Sequence, residues 1–299
     1  MVKKILLLLF IPGAVYCQTS DTTNSFVAIK KANTGNYDVI KKAAPFSFIT
    51  SIPNDVAGFT KSSFSKNNFC NLKLIAGSTL FLYLADQSVT NTVQDKMEDN
   101  RIIARESFSP FINVKIGGKQ TNIGKVPHNI NTAFYDLGQG SSEMLFAAGF
   151  FIAGKLQHSN RALQTASQLT EAFISLGLGT QLMKYATGRE NPSDATVLRG
   201  RWRPFPSWKN FQNNKTKYDA FPSGHMAGFV SAVTIIGENY PEKKWIKPVG
   251  YSIAGLCGLA MLNNGVHWAS DFPLGFALGY GFGKHLAHKT KKYHIPVDS

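Results

Sequence analysis

Two histidines and one carboxylate occur at spacings that suit the cleavage of a phosphoester. His267 stands four residues before Asp271, and His225 lies 42 residues before His267, directly after the pair Ser223-Gly224. One histidine can attack phosphorus, the carboxylate can hold that ring in the required tautomer, and the second histidine can protonate the leaving oxygen. The turn Pro222-Ser-Gly-His225 can donate hydrogen bonds to phosphate oxygens. No other part of the chain offers so complete a set.

Each of these fragments also has a purely structural explanation. Ser223 is a natural N-cap, whose helix would expose free N–H groups to an anion in any case. Asp271 precedes Pro273 closely enough to be the N-cap of the next helix. Lys184 and Arg189 flank Gly188, a plausible helix stop, where basic side chains compensate the helix dipole.

The order of the three blocks makes the pattern specific. Lys184 comes first, Pro222-Ser-Gly-His225 follows, and the His267–Asp271 pair comes last. In this order, over about residues 71–290, the chain resembles the type 2 phosphatidic acid phosphatase superfamily, which includes bacterial class A acid phosphatases and vanadium haloperoxidases. The resemblance implies an all-helical bundle and a phosphohistidine mechanism that needs no metal and no cofactor.

The same resemblance implies a role for each matched residue. His267 would be the nucleophile and Asp271 would orient it. His225 would protonate the leaving group and then activate water. The remaining matched residues, which would hold the phosphate, are Lys184, Ser223 and Gly224.

The chain departs from the family pattern at two phosphate-binding arginines. The family's first motif ends in Arg-Pro, where this chain has Asn191-Pro192, and its third motif begins with Ser-Arg, where this chain has Ala260-Met261. Such charge-assisted contacts stabilise a phosphoryl transition state, so their loss lowers the rate unless other residues replace them. Arg189 and the arginines of segment 199–203, Arg203 among them, are the candidates for replacement. Alternatively, segment 199–203 is a surface loop of stacked Arg and Trp side chains.

The basic composition has two interpretations, an anionic partner or a solvated basic surface. The chain of 299 residues carries 32 Lys+Arg against 18 Asp+Glu, and only 17% of its residues are charged. A basic surface suits phosphate esters or anionic lipid headgroups. Zinc-finger spacing, a long basic run and an RNA-binding aromatic motif are all missing from the sequence, which argues against nucleic acid. We therefore expect a phosphorylated small molecule or lipid as substrate, with peripheral membrane contact as an option.

The first 17 residues have the pattern of a secretory signal peptide. Lys3-Lys4 precedes the short apolar run Ile5–Phe10, and Cys17 ends a tolerable cleavage site. A lipoprotein signal acylated at Cys17 is the alternative. Export predicts a periplasmic or peripherally membrane-associated protein. In that oxidising setting a Cys70–Cys257 disulfide is conceivable, although Cys257 sits in an apolar run typical of a buried small residue.

Periodicity predicts an all-α fold: a helical bundle of about six core helices with an N-terminal extension. Residues 18–70 are polar and read as a loosely helical extension, residues 71–290 as the phosphatase-like domain, and residues 291–299 as a basic tail. The apolar runs are shorter than the 18 to 20 or so residues that a spanning helix needs. Residues 104–141 and 188–221 are expected to be long connections. The predicted helices cover residues 71–86, 90–103, 142–156, 160–187, 224–238, 245–262 and 270–288.

Three functions compete for this pattern. The leading hypothesis is a metal-independent phosphatase acting on phosphomonoesters or pyrophosphates, lipid phosphates included. The second is a degenerate family member that binds an anion without turnover, which the two missing arginines favour. The third is a vanadate-dependent haloperoxidase, which ranks last because its cofactor needs a dense cage of cations.

Overall fold

The computed structural model describes residue 44 and residues 46–104, 108–116 and 119–289. The described residues form ten α-helices and one β-hairpin, so the predicted all-α class is confirmed. In chain order the elements are α1 (Ser47–Thr50), α2 (Ile52–Ser63), α3 (Phe69–Asp99), β1 (Phe108–Ile116), β2 (Lys119–Pro127), α4 (Ile130–Leu137), α5 (Gly140–Leu156), α6 (Asn160–Thr187), α7 (Trp208–Asn213), α8 (Gly224–Asn239), α9 (Ile246–Asn263) and α10 (Phe272–Lys289).

The two helices predicted over 71–86 and 90–103 are one continuous helix, α3. The polar residues Gln87 and Ser88 lie between the two predicted helices. In the structure Asp86 and Thr90 are buried inside the bundle. The carboxylate of Asp86 forms hydrogen bonds with Arg189 and Ser270, which lie outside α3. This polar residue therefore makes a tertiary contact and does not end the helix.

The connection predicted over residues 104–141 contains regular structure. Strands β1 and β2 pair antiparallel, with Phe108 opposite Pro127 and Ile116 opposite Lys119. Helix α4 follows, and Asn129 caps its first turn by accepting a hydrogen bond from the amide of Thr132. The alternation within β1 is the signal that the sequence reading missed.

Helix α8 lies at the centre of the bundle and packs closely against α10. Its apolar side chains contribute to both hydrophobic clusters of the core. A Cβ at Gly275 would lie 2.5 Å from the Ser223 carbonyl oxygen, and one at Gly279 would lie 2.2 Å from that of Ala227. Glycine at these positions lets the two backbones approach, which fixes the start of α8 beside the start of α10.

The N-terminal helices are attached to the domain by a buried ionic cluster. Lys289, at the end of α10, forms ion pairs with Asp55 on α2 and Glu171 on α6. Ser51 donates a hydrogen bond to Glu171 at 2.8 Å. Residues 46–63 are largely helical, as expected of the extension. These contacts hold them against the bundle.

Several sequence predictions fall outside the described residues, namely the signal peptide over 1–17 and the tail over 291–299. Cys70 is exposed and Cys257 is buried, and both thiols are free, so the Cys70–Cys257 disulfide is not formed in the structure. Among the described helices, none combines the length and the apolarity required to cross a bilayer.

Candidate active site

Three chain segments bring the predicted residues to one place. Gly188 is the C-cap of helix α6, and its left-handed backbone (φ 57°) ends the helix. Arg189 follows directly in the chain. A Cβ at Gly188 would lie 1.8 Å from the Arg203 carbonyl oxygen, so only glycine fits both the φ angle and the contact. Helix α8 begins at Gly224, and a 3₁₀ turn over Ala269–Asp271 leads into α10.

The start of α8 provides donors for an anion. Ser223 is the N-cap, and its Oγ accepts a hydrogen bond from the amide of Met226 at 3.2 Å. The first N–H groups of a helix have no partner within the helix. The amides of Gly224 and His225 therefore point outward from the turn, where the helix dipole also favours negative charge.

The two predicted catalytic histidines are in contact. Nδ1 of His225 lies 3.2 Å from Nε2 of His267, and the two rings meet nearly edge to face. His267 is only 1% exposed, whereas His225 is half-buried and also stacks near Tyr135 of α4. A phosphorus atom attacked by His267 Nε2 has to enter where this contact now lies.

A backbone carbonyl fixes the tautomer of His267. Its Nδ1 lies 2.7 Å from the Ala220 carbonyl oxygen, which can only accept, so Nδ1 carries the proton and Nε2 keeps its lone pair. Oδ2 of Asp271 lies 3.5 Å from the same Nδ1, at the outer limit of a hydrogen bond. This differs from the arrangement expected from the sequence: the carbonyl orients the ring, and the carboxylate stands behind it as a nearby negative charge.

Asp271 also has a local structural role. Its Oδ2 accepts a hydrogen bond from the amide of Trp268 at 2.7 Å and so caps the 3₁₀ turn. Asp271 is thus the third residue of the 3₁₀ turn, whose N-cap is Trp268, and not the N-cap expected from the sequence; the same carboxylate closes the turn and lies beside the histidine.

Arg189 is fully buried and is bound by protein acceptors. Its Nη1 lies 2.6 Å from Asp271 Oδ1 and 2.7 Å from Ser270 Oγ. Its Nη2 lies 2.6 Å from Asp86 Oδ2 and 3.0 Å from the Arg199 carbonyl oxygen. A phosphate contact by Arg189 thus stays a sequence prediction, and the geometry instead connects Arg189 to the carboxylate behind His267.

Arg203, the other predicted replacement, is partly exposed and forms an ion pair with Glu190. Glu190 is itself buried, and it also accepts hydrogen bonds from the amides of Thr196 and Arg201. The guanidinium of Arg203 therefore closes the loop around Glu190.

Lys184 is a buried cation next to the start of α8. Its Nζ lies 3.9 Å from Asp219 Oδ2, and a Cβ at Gly224 would come within 4.0 Å of it. The ammonium therefore lies next to the helix start that carries the free amides. Burial lowers the pKa of Lys184, while the charges of Asp219 and Asp271 raise it.

Burial sets the charge of the two histidines. Burial, the charge of His267 and that of Lys184 hold the pKa of His225 well below its ordinary value of 6.5. Burial and Lys184 lower the pKa of His267 to about 3. Without a bound anion, both rings are neutral at neutral pH. Burial also raises the pKa of Asp271 to about 6, although Arg189 opposes this.

The positions of the two missing arginines are buried. Met261 lies in the apolar core, and its Sδ accepts a hydrogen bond from Ser223 Oγ at 3.6 Å. Asn191 donates its backbone amide to the Thr216 carbonyl, while its buried Oδ1 has no hydrogen-bond partner among the described residues. Ala260 is buried beside Met261. Ser223 is thus in contact with a thioether at the position where the family pattern has an arginine.

Sequence reasoning missed three residues of the site. Asp86 comes from α3, about a hundred residues before Arg189, and Asp219 and Ala220 immediately precede Phe221-Pro222. An aspartate that ends a long apolar run is a weak sign of a buried partner, and it could have drawn attention to Asp86. A backbone carbonyl such as that of Ala220 leaves no trace in the sequence. Within the described residues, no group of three His, Cys, Asp or Glu side chains is placed to hold a metal ion.

Comparison with known proteins agrees with this geometry. The model of the PAP2 superfamily matches residues 165–294. This part of the chain, somewhat under half of its length, is therefore similar to that superfamily. The matched residues include Lys184, His225, His267 and Asp271, whereas Asp86 lies before them.

One curated relative matches a shorter stretch. Lipid A 1-phosphatase of Porphyromonas gingivalis is 30% identical to this chain over 79 residues, which are 26% of this chain and 18% of that protein. The chain thus aligns with less than a fifth of the length of this relative. No solved structure gave a significant match.

Proposed function

We propose that the protein is a phosphatase that hydrolyses phosphomonoesters or pyrophosphates, lipid phosphates among them, through a phosphohistidine. The observation that carries the proposal is the 3.2 Å contact between His225 Nδ1 and His267 Nε2, beside the free amides of a helix start and the ammonium of Lys184. The PAP2 superfamily match and the name of the curated relative support phosphatase chemistry at the level of the family.

In the first step, Nε2 of His267 attacks phosphorus and forms an N–P bond while the ester P–O bond breaks. The leaving oxygen takes a proton from His225. In the second step, His225 removes a proton from water, the resulting hydroxide attacks phosphorus, and the N–P bond breaks to release phosphate. The proton of His267 stays on Nδ1 throughout, where it is donated in a hydrogen bond to the Ala220 carbonyl oxygen, and Asp271 stabilises the positive charge that develops on the ring.

An apolar groove supports the lipid branch of the proposal. Leu80 and Tyr83 of α3 form one wall, and Trp202, Phe221 and Leu274 form part of the other, around a volume of about 470 Å³. Phe221 directly precedes the Pro-Ser-Gly-His turn. A groove with this lining suits a hydrocarbon chain attached to the phosphate that the turn binds.

The test is to trap the covalent intermediate. The enzyme is mixed with radiolabelled substrate, quenched, and the labelled residue is mapped, alongside His267→Ala and His225→Ala variants with their folding checked by circular dichroism. We expect label on His267 in the wild type, no label in His267→Ala, and persisting label in His225→Ala when an aryl phosphate with a good leaving group is used. Label on His225, or turnover by His267→Ala, contradicts the assignment.

Anion binding without turnover is the second candidate, and the apolar environment of Met261 favours it. Each missing guanidinium removes a contact that stabilises the transition state more than the ground state. Isothermal titration with phosphate and vanadate, together with phosphate release from lipid, nucleotide and aryl phosphates, separates the two functions. Tight anion binding with no release from any substrate would establish the binding protein.

A further inference from the structure

The segment of residues 195–218 presents basic and aromatic side chains at the surface. It contains six lysines and arginines and no aspartate or glutamate. Trp208 is 64% exposed, and Phe205 is similarly exposed. Lys209 and Lys217 are exposed as well. Exposed large apolar side chains occur elsewhere on the described surface as well, but here they stand in a segment whose charged side chains are all basic.

These side chains continue onto α6. The ring of Tyr185 lies 5.9 Å from the rings of Phe205 and Trp208. Leu178 and Leu182 precede Tyr185 by seven and three residues, so they lie on the same helix face, and both are exposed. We call this set the amphipathic surface; it comprises Leu178, Leu182, Phe205, Trp208, Lys209 and Lys217.

The amphipathic surface borders the candidate active site. Tyr185 follows Lys184 directly along α6. The basic segment ends next to Asp219 and Ala220, which contact Lys184 and His267. Trp202, within the same segment, also lines the apolar groove. A lipid held at this surface would therefore lie beside both the groove and the site.

We propose that the amphipathic surface docks on the headgroup region of an anionic lipid bilayer. Exposed tryptophan and phenylalanine side chains bury well at the boundary between headgroups and acyl chains, and lysines beside them are attracted by anionic lipids. The formal net charge of +14 adds a long-range attraction to such a membrane. Protein–protein interfaces are instead depleted of lysine, which makes a protein partner the poorer fit. The proposal goes beyond hydrolysis, because docking requires no turnover.

The test is vesicle co-sedimentation of the full chain. One set of vesicles is pure phosphatidylcholine and the other contains phosphatidylcholine and phosphatidylglycerol in equal parts; phosphatidylglycerol is a phosphodiester, so binding is measured apart from monoesterase activity. We expect binding to the anionic vesicles that weakens as salt rises, and weak binding to the neutral ones. Equal binding to both, or binding to neither, overturns the proposal.

A matched pair of tryptophans locates the surface. Trp245 is 62% exposed, like Trp208, and it precedes α9. At the start of α9 the Lys247 side chain packs on Gly237, which is 13 residues beyond Gly224 along α8 and therefore about 20 Å away from it. We expect Trp208→Ser to weaken partitioning onto anionic vesicles about tenfold and Trp245→Ser to leave it unchanged. The reverse result would place the membrane contact elsewhere.

A second variant avoids packed rings. Lys209→Gln combined with Lys217→Gln changes only exposed side chains, and we expect about a fivefold loss of partitioning per lysine. Both this variant and Trp208→Ser should retain hydrolysis of a water-soluble aryl phosphate. If the proposed phosphatase activity fails, vesicle binding still reports on the surface. If vesicles do not bind and Trp208→Ser abolishes self-association instead, the surface is an interface between copies of the chain.

Discussion

Nη1 of Arg189 lies 2.6 Å from Oδ1 of Asp271, and Nη2 of the same guanidinium lies 2.6 Å from Oδ2 of Asp86. All three side chains are fully buried. One arginine therefore joins α3 to the turn that carries the carboxylate behind His267. Burying such charges stabilises a fold only while every partner is present, so this network is a means of positioning Asp271 more than a source of stability.

We predict that Arg189→Met destabilises the protein and lowers activity together. Removing the guanidinium leaves two buried carboxylates without a counter-charge, which costs about 3–5 kcal/mol. Asp271 then loses its fixed position, and kcat/KM should fall by about a hundredfold or more. Thermal unfolding and steady-state kinetics on the same preparations test both effects. Arg201→Met, at an exposed position, is the control and should change the free energy of unfolding by less than about 0.5 kcal/mol.

The alternative for Arg189 is direct phosphate binding, as the sequence suggested. In that case the variant would unfold at the wild-type temperature while its affinity for vanadate collapsed. Asp86→Asn provides a second readout, because Asp86 supports the turn that carries Asp271 both through Arg189 and by accepting hydrogen bonds from the amide and hydroxyl of Ser270. We expect Asp86→Asn to lower kcat with little change in KM, and an unchanged kcat would show that the network does not position Asp271.

The helical class and the helix bounds were well predicted where apolar periodicity is strong. The predicted helix over 160–187 agrees with α6, and that over 224–238 is one residue shorter than α8. Prediction failed at α3, where polar residues near Asp86 interrupt the apolar pattern of the sequence. The partners of Asp86 are far away in the chain, so the sequence around it does not show why a polar residue stands there. The hairpin was missed because its alternation is short and lies within a segment judged to be a connection.

For the site, sequence order located the histidines but not their support. The Pro-Ser-Gly-His turn and the His267–Asp271 pair are local patterns, so their spacing is visible in the chain. Asp86 and the Ala220 carbonyl join the site through tertiary structure, and nothing nearby in the sequence links them to His267. The sequence shows that Met261 replaces a family arginine. It does not show that the Met261 sulfur contacts the Ser223 hydroxyl.

We predict that Met261→Arg increases affinity for vanadate. The new guanidinium would lie near Ser223, at the anion-binding start of α8, and a charge-assisted hydrogen bond contributes about 1.5–3 kcal/mol, or roughly tenfold or more in affinity. The same change buries a charge and should lower the unfolding temperature when no anion is present. Met261→Leu is the control for shape, since a volume-conserving exchange costs less than about 1.5 kcal/mol. An Arg variant that folds with unchanged vanadate affinity would show that the side chain does not reach the anion.

We predict an acidic pH optimum for kcat/KM. His225 must carry a proton to act as the acid, and its pKa lies well below 6.5 because of burial and the nearby His267 and Lys184. Activity should therefore rise as pH falls below 6.5. It should decline again toward the pKa of about 3 at which His267 gains a proton and loses its lone pair. Protonation of Asp271, whose pKa is about 6, limits the gain.

A series of rate measurements with an aryl phosphate over this pH range is the test of the proton assignment. In His225→Asn the rise on acidification should disappear. A maximum at alkaline pH in the wild type would show that the rate does not depend on a protonated His225.

We predict that hydrolysis requires no divalent metal ion. The proposed steps use only nitrogen, carboxylate and ammonium groups of the chain, with the charge on phosphate met by Lys184 and by the amides at the start of α8. Exhaustive dialysis against a chelator should therefore leave kcat/KM unchanged. Loss of activity that returns when a divalent ion is added would count against the phosphohistidine mechanism, provided that circular dichroism shows the chelated protein to be folded.

The last prediction concerns Glu143, a buried acid that has no role in the proposed reaction. Glu143, in the first turn of α5, is only 4% exposed, and its carboxyl packs directly on Gly228 of α8. Burial raises its pKa from 4.5 to about 8. The folded protein therefore keeps a proton that the unfolded chain releases above pH 4.5. Stability contributed by this proton is complete below pH 4.5 and is lost progressively as pH rises toward 8.

Glu143→Gln should therefore be more stable than the wild type at neutral pH and equal to it at pH 4.5. Glutamine has a similar shape but no titrating proton. The free energy of unfolding of the wild type falls by about 1.36 kcal/mol per pH unit over this range, or by about 3 kcal/mol at pH 7. Thermal unfolding at both pH values measures the difference. Glu98→Gln, at an exposed position on α3, is the control for the substitution itself and should change the free energy of unfolding by less than about 0.5 kcal/mol. A glutamine variant less stable than the wild type at pH 7 would mean that the carboxylate is ionised and has a stabilising partner in the folded protein.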